Sequence, residues 1–433
     1  MLPPRASGFS TSRLDAGDHS LWSVRPKMRF LFYSHDSYGL GHIRRTTVIA
    51  NRLIHSFPAP SALVVTGSPR AHYFRYPPHC DYLKLPSVTK GPGGQYVSRD
   101  IDMSISETVA LRGRLIREAA ESFRPDVFFA DHTPRGLSGE LLPSLDHFIR
   151  LPDAPVRIVG MRDVIDEPEA VKRAWDAEHT VEVLRRYYNL ILIYGQREVF
   201  DPVREYGLPD DLAAKIRFVG YIGRNGSTTS PEAIRERFAP RTGLLVAVTA
   251  GGGGDGSSLL SSFLEGYERL GSRPPFETLL ITGPLMSPRK RKRILARVER
   301  LEGARVLEYF EDIPGICHSA DFVIAMGGYN TICELAFAGA SALIVPRTSP
   351  RREQLLRAQR LAERGVVHLL LPEAALPDVL IREVLEGLGR PRPPRRWGLD
   401  FSGLENICRA VADLRPTPLA LQLGSRVAAE FRS

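Results

Sequence analysis

The sequence predicts an α/β protein built from two doubly wound parallel sheets that face a cleft, on three grounds. Short apolar runs without polar alternation recur along the chain, as strands covered on both faces do. Segments with helical spacing of apolar residues lie between them, long enough to serve as crossovers. The alternation breaks at a polar, turn-rich stretch over 223–242 and then restarts. A chain of 433 residues is long enough to bury two sizeable cores.

Taken in order, residues 1–27 contain Pro, Ser, Gly and Asp but no apolar secretory core, and read as a disordered N-terminal tail ahead of Met28. The first domain is expected over 28–222, with strands at 29–34, 62–66, 127–130, 157–160 and 190–193. Its clearest helix is 104–123. Ser104 and Glu107 form a capping box there, and Ile105, Val109, Ile116, Ala119 and Phe123 share a face. Pro86–Arg99, with Gly91, Gly93 and Gly94, reads as a long mobile loop. The linker is placed at 223–242 and includes a short charged helix. The second domain is placed at 243–415, with strands at 244–249, 277–282, 304–309, 321–325, 341–345 and 366–370. Helices near 401–414 and 421–431 are candidates to cross back over the first domain, the last of them in the C-terminal segment 416–433.

Composition removes several function classes. No run of about 18 apolar residues occurs, which excludes a membrane-spanning helix. The cysteines (Cys80, Cys317, Cys333 and Cys408) form no CxxC, so neither a zinc ribbon nor a disulfide scaffold is expected. Cys317 and Cys333 stand in apolar surroundings and read as buried thiols of a reducing cytosol. The net charge of +9 draws attention to Arg289-Lys290-Arg291-Lys292-Arg293, which opens a helix with Ile294, Leu295, Val298 and Leu301 at helical spacing. No aromatics interleave with it, so nucleic acid is not an expected partner. A solvated face is the plain reading, and peripheral attraction to a membrane surface is the alternative.

In open α/β sheets ligands sit beyond the carboxyl ends of the strands, so the turns there hold the candidate chemistry. The first is Tyr38-Gly-Leu-Gly-His42, which places His42 at a helix start. The GxGxxG test fails at Arg44, and strand two ends without an acid, so a nicotinamide site is not expected. The second turn runs from Thr249 to Gly256 and includes Gly252 and Gly253. Gly251, Gly253 and Gly256 satisfy GxGxxG, but Ser257 occupies the place of a P-loop lysine. The third is Gly327-Gly328 entering a helix that carries Thr331 and Glu334. Its free N–H groups suit a diphosphate, and its carboxylate suits the two hydroxyls of a ribose. The fourth brings Glu353 and Gln354 to a helix start, where they can hydrogen-bond sugar hydroxyls or simply form an acidic first turn.

Gly39-x-Gly41-His42, the glycine loop 251–256, Gly327-Gly328-x-x-Thr331-x-x-Glu334 and Glu353-Gln354 followed by Ala358 occur in an order that resembles the GT-B glycosyltransferases of the MurG type. These transfer N-acetylglucosamine from UDP to a lipid-linked acceptor. The resemblance covers roughly residues 28–390. It implies two Rossmann-like domains, an acceptor domain first and a nucleotide-sugar domain second. It also implies transfer of a hexose or N-acetylhexosamine from a nucleotide diphosphate sugar, with UDP the expected nucleotide, to an acceptor hydroxyl with inversion. Gly328 and Thr331 would hold the diphosphate and Glu334 the ribose. Glu353 and Gln354 would meet the donor sugar, Ile313 the base, and Arg224 the diphosphate from the domain junction. His42 faces the acceptor and is the first candidate for the base; Asp131, His132, His35 and Asp36 are rivals.

No DxD pair occupies a suitable turn, so no obligatory metal and no cofactor are expected. The acceptor, lipid-linked or small, is left open. Cytoplasmic location follows from the lack of signal or span, with room for contact at the inner face of the membrane. A sugar-nucleotide 2-epimerase of the same fold and a non-catalytic sugar-nucleotide-binding protein are the competing readings.

Overall fold

The computed structural model describes residues 28–35, 41–91, 95–223, 229–252 and 254–414. The expectations for 1–27, Asp36, Gly39, Arg224, Gly253 and 416–433 lie outside the described residues. The first unit carries strands β1 (Met28–Ser34), β2 (Pro60–Thr66), β3 (Cys80–Lys84), β4 (Val88–Lys90), β5 (Tyr96–Ser98), β6 (Val127–Asp131), β7 (Val156–Arg162), β8 (Leu190–Tyr194) and β9 (Ile216–Phe218). The second carries β10 (Leu245–Thr249), β11 (Glu277–Ile281), β12 (Ala304–Leu307), β13 (Phe322–Ala325), β14 (Ala342–Ile344) and β15 (His368–Leu369).

A seven-stranded sheet is ordered β3-β2-β1-β6-β7-β8-β9 and a six-stranded sheet β12-β11-β10-β13-β14-β15. Both are parallel throughout. Every residue of β6, β8, β10 and β11 is buried, which is why these strands read as mostly apolar runs. In each sheet the strand order reverses beside the first strand, between β1 and β6 and between β10 and β13. Crevices open at such switch points. Register sets Tyr33 against Ala130 and Thr249 against Ala325, so the turns after all four strands emerge at the same edges as the candidate residues.

Pro86–Arg99 is not the loop expected. It holds the antiparallel β4–β5 hairpin, closed by Gly91 N–H to Gln95 O at 2.8 Å and Arg99 N–H to Ser87 O at 3.0 Å. Its strands are too short to show a period. Helix Ile105–Phe123 has both hydrogen bonds of its capping box, but its buried line is Thr108, Arg112, Gly113, Ile116 and Ala120. The stripe read from apolar residues is therefore rotated. Arg112 lies on the buried side because Glu140, also fully buried, takes its guanidinium through Nε and Nη2, while Tyr33 Oη donates to the same carboxylate at 2.6 Å.

The stretch 223–242 contains helix Pro231–Phe238, capped by Ser230. Ile234 and Phe238 are buried, and Arg235 holds Asp321 at 2.8 Å at the entry to β13, so this helix packs on the second unit. Helix Gly403–Leu414, within the stretch given to the second domain and read from sequence as a candidate to cross back, packs on the first unit. Asn406 Nδ2 donates to Val219 O at 2.9 Å, Arg217 pairs with Asp413 at 2.8 Å, and Cys408 Sγ donates to Ser56 Oγ at 3.4 Å. Cys317 and Cys333 are buried as expected. On helix Pro288–Val298 the basic residues face solvent except the half-buried Arg291 and Arg297, and Leu295, read as part of its apolar face, is exposed. No described helix is long and apolar enough to cross a membrane.

Candidate active site

Helix Gly41–Ser56 leaves the first switch point and places His42 in its opening turn. His42 Nδ1 lies 2.6 Å from Asp131 Oδ2 at the end of β6. Arg45, one turn on, donates Nε to Asp131 Oδ1 at 2.9 Å and Nη2 to Oδ2 at 2.8 Å. The Arg45 guanidinium also lies over the rings of Tyr194 and Tyr329. Burial works to raise the Asp131 pKa, but Arg45 and the His42 hydrogen bond outweigh it and hold the carboxyl below its usual range. Burial lowers the His42 pKa, and the opposing pull of Asp131 only partly restores it. Asp131 is therefore the orienting anion and His42 a neutral imidazole. In the tautomer that gives Nδ1–H to the carboxylate, Nε2 is the proton acceptor.

The rival histidines sit alongside. The His35 and His132 rings lie 5.5 and 5.2 Å from that of His42. Burial takes His35 down to about 3 and His132 well below its ordinary value. His132 is held in the left-handed region at φ +70° by its N–H bond to Gly160 O at 2.7 Å.

Across the cleft, Gly328 is the N-cap of helix Tyr329–Ala338 and no side chain caps it, so the first-turn N–H groups are left for a ligand. Thr331 follows in that turn. Glu334 is 7% exposed and meets Arg44 Nη1 from the first domain at 3.2 Å. The glycine loop after β10 presses on the same helix start. Gly251 has φ +60°, and a Cβ on Gly283 would come within 2.4 Å of Gly251 O, so both positions require glycine. A cavity of about 250 Å³ spans the two walls. His42, Arg44, Arg45 and Arg162 line it from the first domain, and Gly252, Ile313, Gly328, Thr331 and Glu334 from the second.

Three expected donor residues are placed otherwise. Gly327 is buried beneath the cavity wall; a Cβ there would lie 2.9 Å from Gln354 O, and its carbonyl accepts from Arg357 Nη1 at 3.3 Å. Glu353 Oε1 is held by Arg347 Nη2 at 2.6 Å, and Gln354 Oε1 accepts from Arg347 N at 3.0 Å. Both side chains are buried and outside the cavity lining, because Arg347 turns the acidic first turn inward.

The sequence reading missed Arg44, Arg45 and Arg162, and also the pair Arg357–Asp163. That pair joins the domains at 3.0 Å with both side chains fully buried, while Tyr221 Oη donates to the second Asp163 oxygen at 3.1 Å. Adjacent arginines after His42 were visible, but their partners lie 290 and 86 residues away. Among the described residues no group of three His, Cys, Asp or Glu side chains has the arrangement to hold a metal ion.

Residues 246–393 match the glycosyltransferase family 28 C-terminal domain. A UDP-N-acetylglucosamine--N-acetylmuramyl-(pentapeptide) pyrophosphoryl-undecaprenol N-acetylglucosamine transferase of Halorhodospira halophila is 33% identical over 228 residues, 48% of this chain and 59% of that protein. The matched stretches span between 21% and 59% of such curated relatives. Among solved structures, Acinetobacter baumannii MurG superposes with a TM-score of 0.58 at 13% identity, covering 90% of this chain and 100% of that one. A putative UDP-N-acetylglucosamine 2-epimerase from Listeria monocytogenes superposes at 0.57 with 11% identity, covering 91% and 98%. The chain thus has the GT-B fold, is similar to the MurG-type transferases, and carries in residues 246–393 a glycosyltransferase family 28 C-terminal domain.

Proposed function

We propose that this protein transfers a hexose or N-acetylhexosamine from a nucleotide diphosphate sugar, UDP-linked, to an acceptor hydroxyl, with inversion and without a metal. The observation that carries this reading is the His42–Asp131 pair at 2.6 Å on one wall of a cavity whose other wall is the open N-terminus of helix Tyr329–Ala338.

In this reading His42 Nε2 takes the hydroxyl proton as the acceptor oxygen bonds to the anomeric carbon. The bond from that carbon to the β-phosphate oxygen breaks, and its electron pair leaves with UDP. Asp131 holds the tautomer and stabilises the imidazolium as it forms; a base placed in this way contributes about 10²–10⁴-fold. The N–H groups at Gly328–Thr331 meet the growing charge on the diphosphate, which in a water-poor cleft contributes several kcal/mol. Glu334 takes the ribose hydroxyls and Ile313 borders the base. Arg224 is proposed to reach the diphosphate from the junction, and Gly253 to extend the loop that carries Gly252.

A cytoplasmic enzyme with a peripheral membrane contact and a lipid-linked or small acceptor fits the similarity to the Halorhodospira halophila protein. Purified protein is to be screened against nucleotide sugars by thermal shift, and UDP release then followed with and without acceptor. Stabilisation by a UDP-sugar and release that depends on acceptor support transfer. Turnover of donor to its 2-epimer without acceptor, or UDP binding with no turnover under any acceptor, would overturn it.

A further inference from the structure

The carboxyl edge of the first sheet carries more polar chemistry than the base needs. Arg162 ends β7 and lines the cavity together with His42. The other two arginines of that wall are neutralised, Arg45 by Asp131 and Arg44 by Glu334. Arg162 makes no ion pair among the described residues. Its Nη2 donates to His132 Nε2 at 3.3 Å, which is a neutral acceptor, and its buried Nε has no partner. Glu353 and Asp131 act on it only through space, while burial and the like charges of Arg45 and Arg357 take its pKa down to about 10.

Arg162 is half-buried at the cavity wall, and a partly desolvated cation with no counter-ion gains from an anionic partner. The imbalance extends to its neighbours. His132 Nδ1 and Thr133 Oγ1 after β6, and Ser34 Oγ and His35 Nδ1 after β1, are likewise buried with no hydrogen-bond partner. Buried polar atoms are satisfied in the great majority of cases, so a cluster of orphans around one unpaired cation marks a place where a ligand completes the bonding. The donor diphosphate already has the helix terminus on the opposite wall. Arg162 stands instead on the sheet that bears the base, where the attacking hydroxyl must lie.

We propose that Arg162 is the acceptor-side anion subsite, receiving a phosphate or carboxylate group that the acceptor carries close to its reacting hydroxyl, with the His132 edge completing the pocket. Its assignment to the acceptor rests on the transfer reading above. A planar fork of N–H donors matches two oxygens of either anion. The subsite selects anionic acceptors and holds their hydroxyl beside His42.

Calorimetry on the full chain tests this with two titrants, UDP alone and inorganic phosphate added to UDP-saturated protein. Arg162→Gln is expected to keep UDP affinity within about twofold and to weaken phosphate binding by about tenfold or more, the scale of a charge-assisted bond. Arg162→Lys keeps the charge but loses the fork, so its phosphate affinity should fall between those of the wild type and Arg162→Gln. Arg293→Gln, on an exposed helix face, controls for net charge and should change neither titration.

A fall in UDP affinity of about tenfold in Arg162→Gln would move the cation to the donor and overturn the proposal. Phosphate binding that is absent from the wild type, or equal in Arg162→Gln, would also overturn it. If UDP fails to bind the wild type, the donor reading fails by itself. Phosphate titrated into the unliganded wild type and Arg162→Gln then decides the subsite separately.

Discussion

Replacing Asp131 by Asn separates a catalytic dyad from a merely buried histidine. The carboxylate accepts from His42 at 2.6 Å and from Arg45 at 2.8 and 2.9 Å, and it is 2% exposed. An amide of the same shape has one oxygen to accept with. If that oxygen stays with Arg45, the amide NH2 faces His42 Nδ1 and donates to it. The imidazole proton then moves to Nε2, and the ring can no longer take a proton from a hydroxyl. The expected loss in turnover is about 10²–10⁴-fold, the usual worth of a positioned base. The Arg45 guanidinium is left buried beside an uncharged partner, which costs about 3–5 kcal/mol of stability. Burial and Arg45 lower the His42 pKa while Asp131 raises it, so the acid limb of any residual activity moves to lower pH. UDP release is to be measured as an initial rate with the donor and acceptor that the wild type turns over, alongside calorimetry of UDP and thermal melting. UDP affinity should hold, because the dyad lies on the acceptor wall. A folded Asp131→Asn protein with turnover within about threefold of wild type would refute the role given to His42.

Glu334→Gln should weaken UDP binding by about tenfold or more in calorimetry, since a charged hydrogen bond to the ribose is lost and Arg44 is left unpaired; unchanged affinity would place the nucleotide elsewhere. Turnover should persist in excess EDTA, with helix N–H groups meeting the leaving charge; abolition restored by magnesium would count against metal independence. His35, His42 and His132 all have folded pKa values below the unfolded 6.5. The unfolded state therefore binds more protons as pH falls through 6.5, and stability present above that pH drains away toward about 3 for His35, by about 1.4 kcal/mol per pH unit for each imidazole. Urea melts between pH 7.5 and 5 should show this, and His35→Asn should flatten the slope.

The fold was legible where burial on two faces leaves a simple trace. The runs 127–130 and 245–248 are apolar because both faces of these strands are covered. Ser104 and Glu107 announced a helix start because both partners lie within one turn. The glycine turns after β10 and β13 were readable as cavity-lining elements since each follows a strand at a switch point. What escaped depends on distant partners. Arg112 reads as a solvent-facing residue until Glu140 arrives from another element, and the Arg347 contact to Glu353 Oε1 could not be read from the acidic first turn. The hairpin at Val88–Ser98 escaped because three-residue strands show no period.

The buried pair of Arg357 with Asp163 bears on how this chain can be recombined. One member belongs to the half that carries the family 28 domain and the other follows β7 of the first sheet, and neither touches water. A hybrid made by joining one half of this protein to the opposite half of a relative inherits both charges or is left with a stranded one. A lone ion in that position costs about 3–5 kcal/mol, enough to unseat the halves from each other. Swapping a donor half in search of a new sugar thus calls for grafting the two residues as a unit, or for replacing both together with apolar side chains of matched volume.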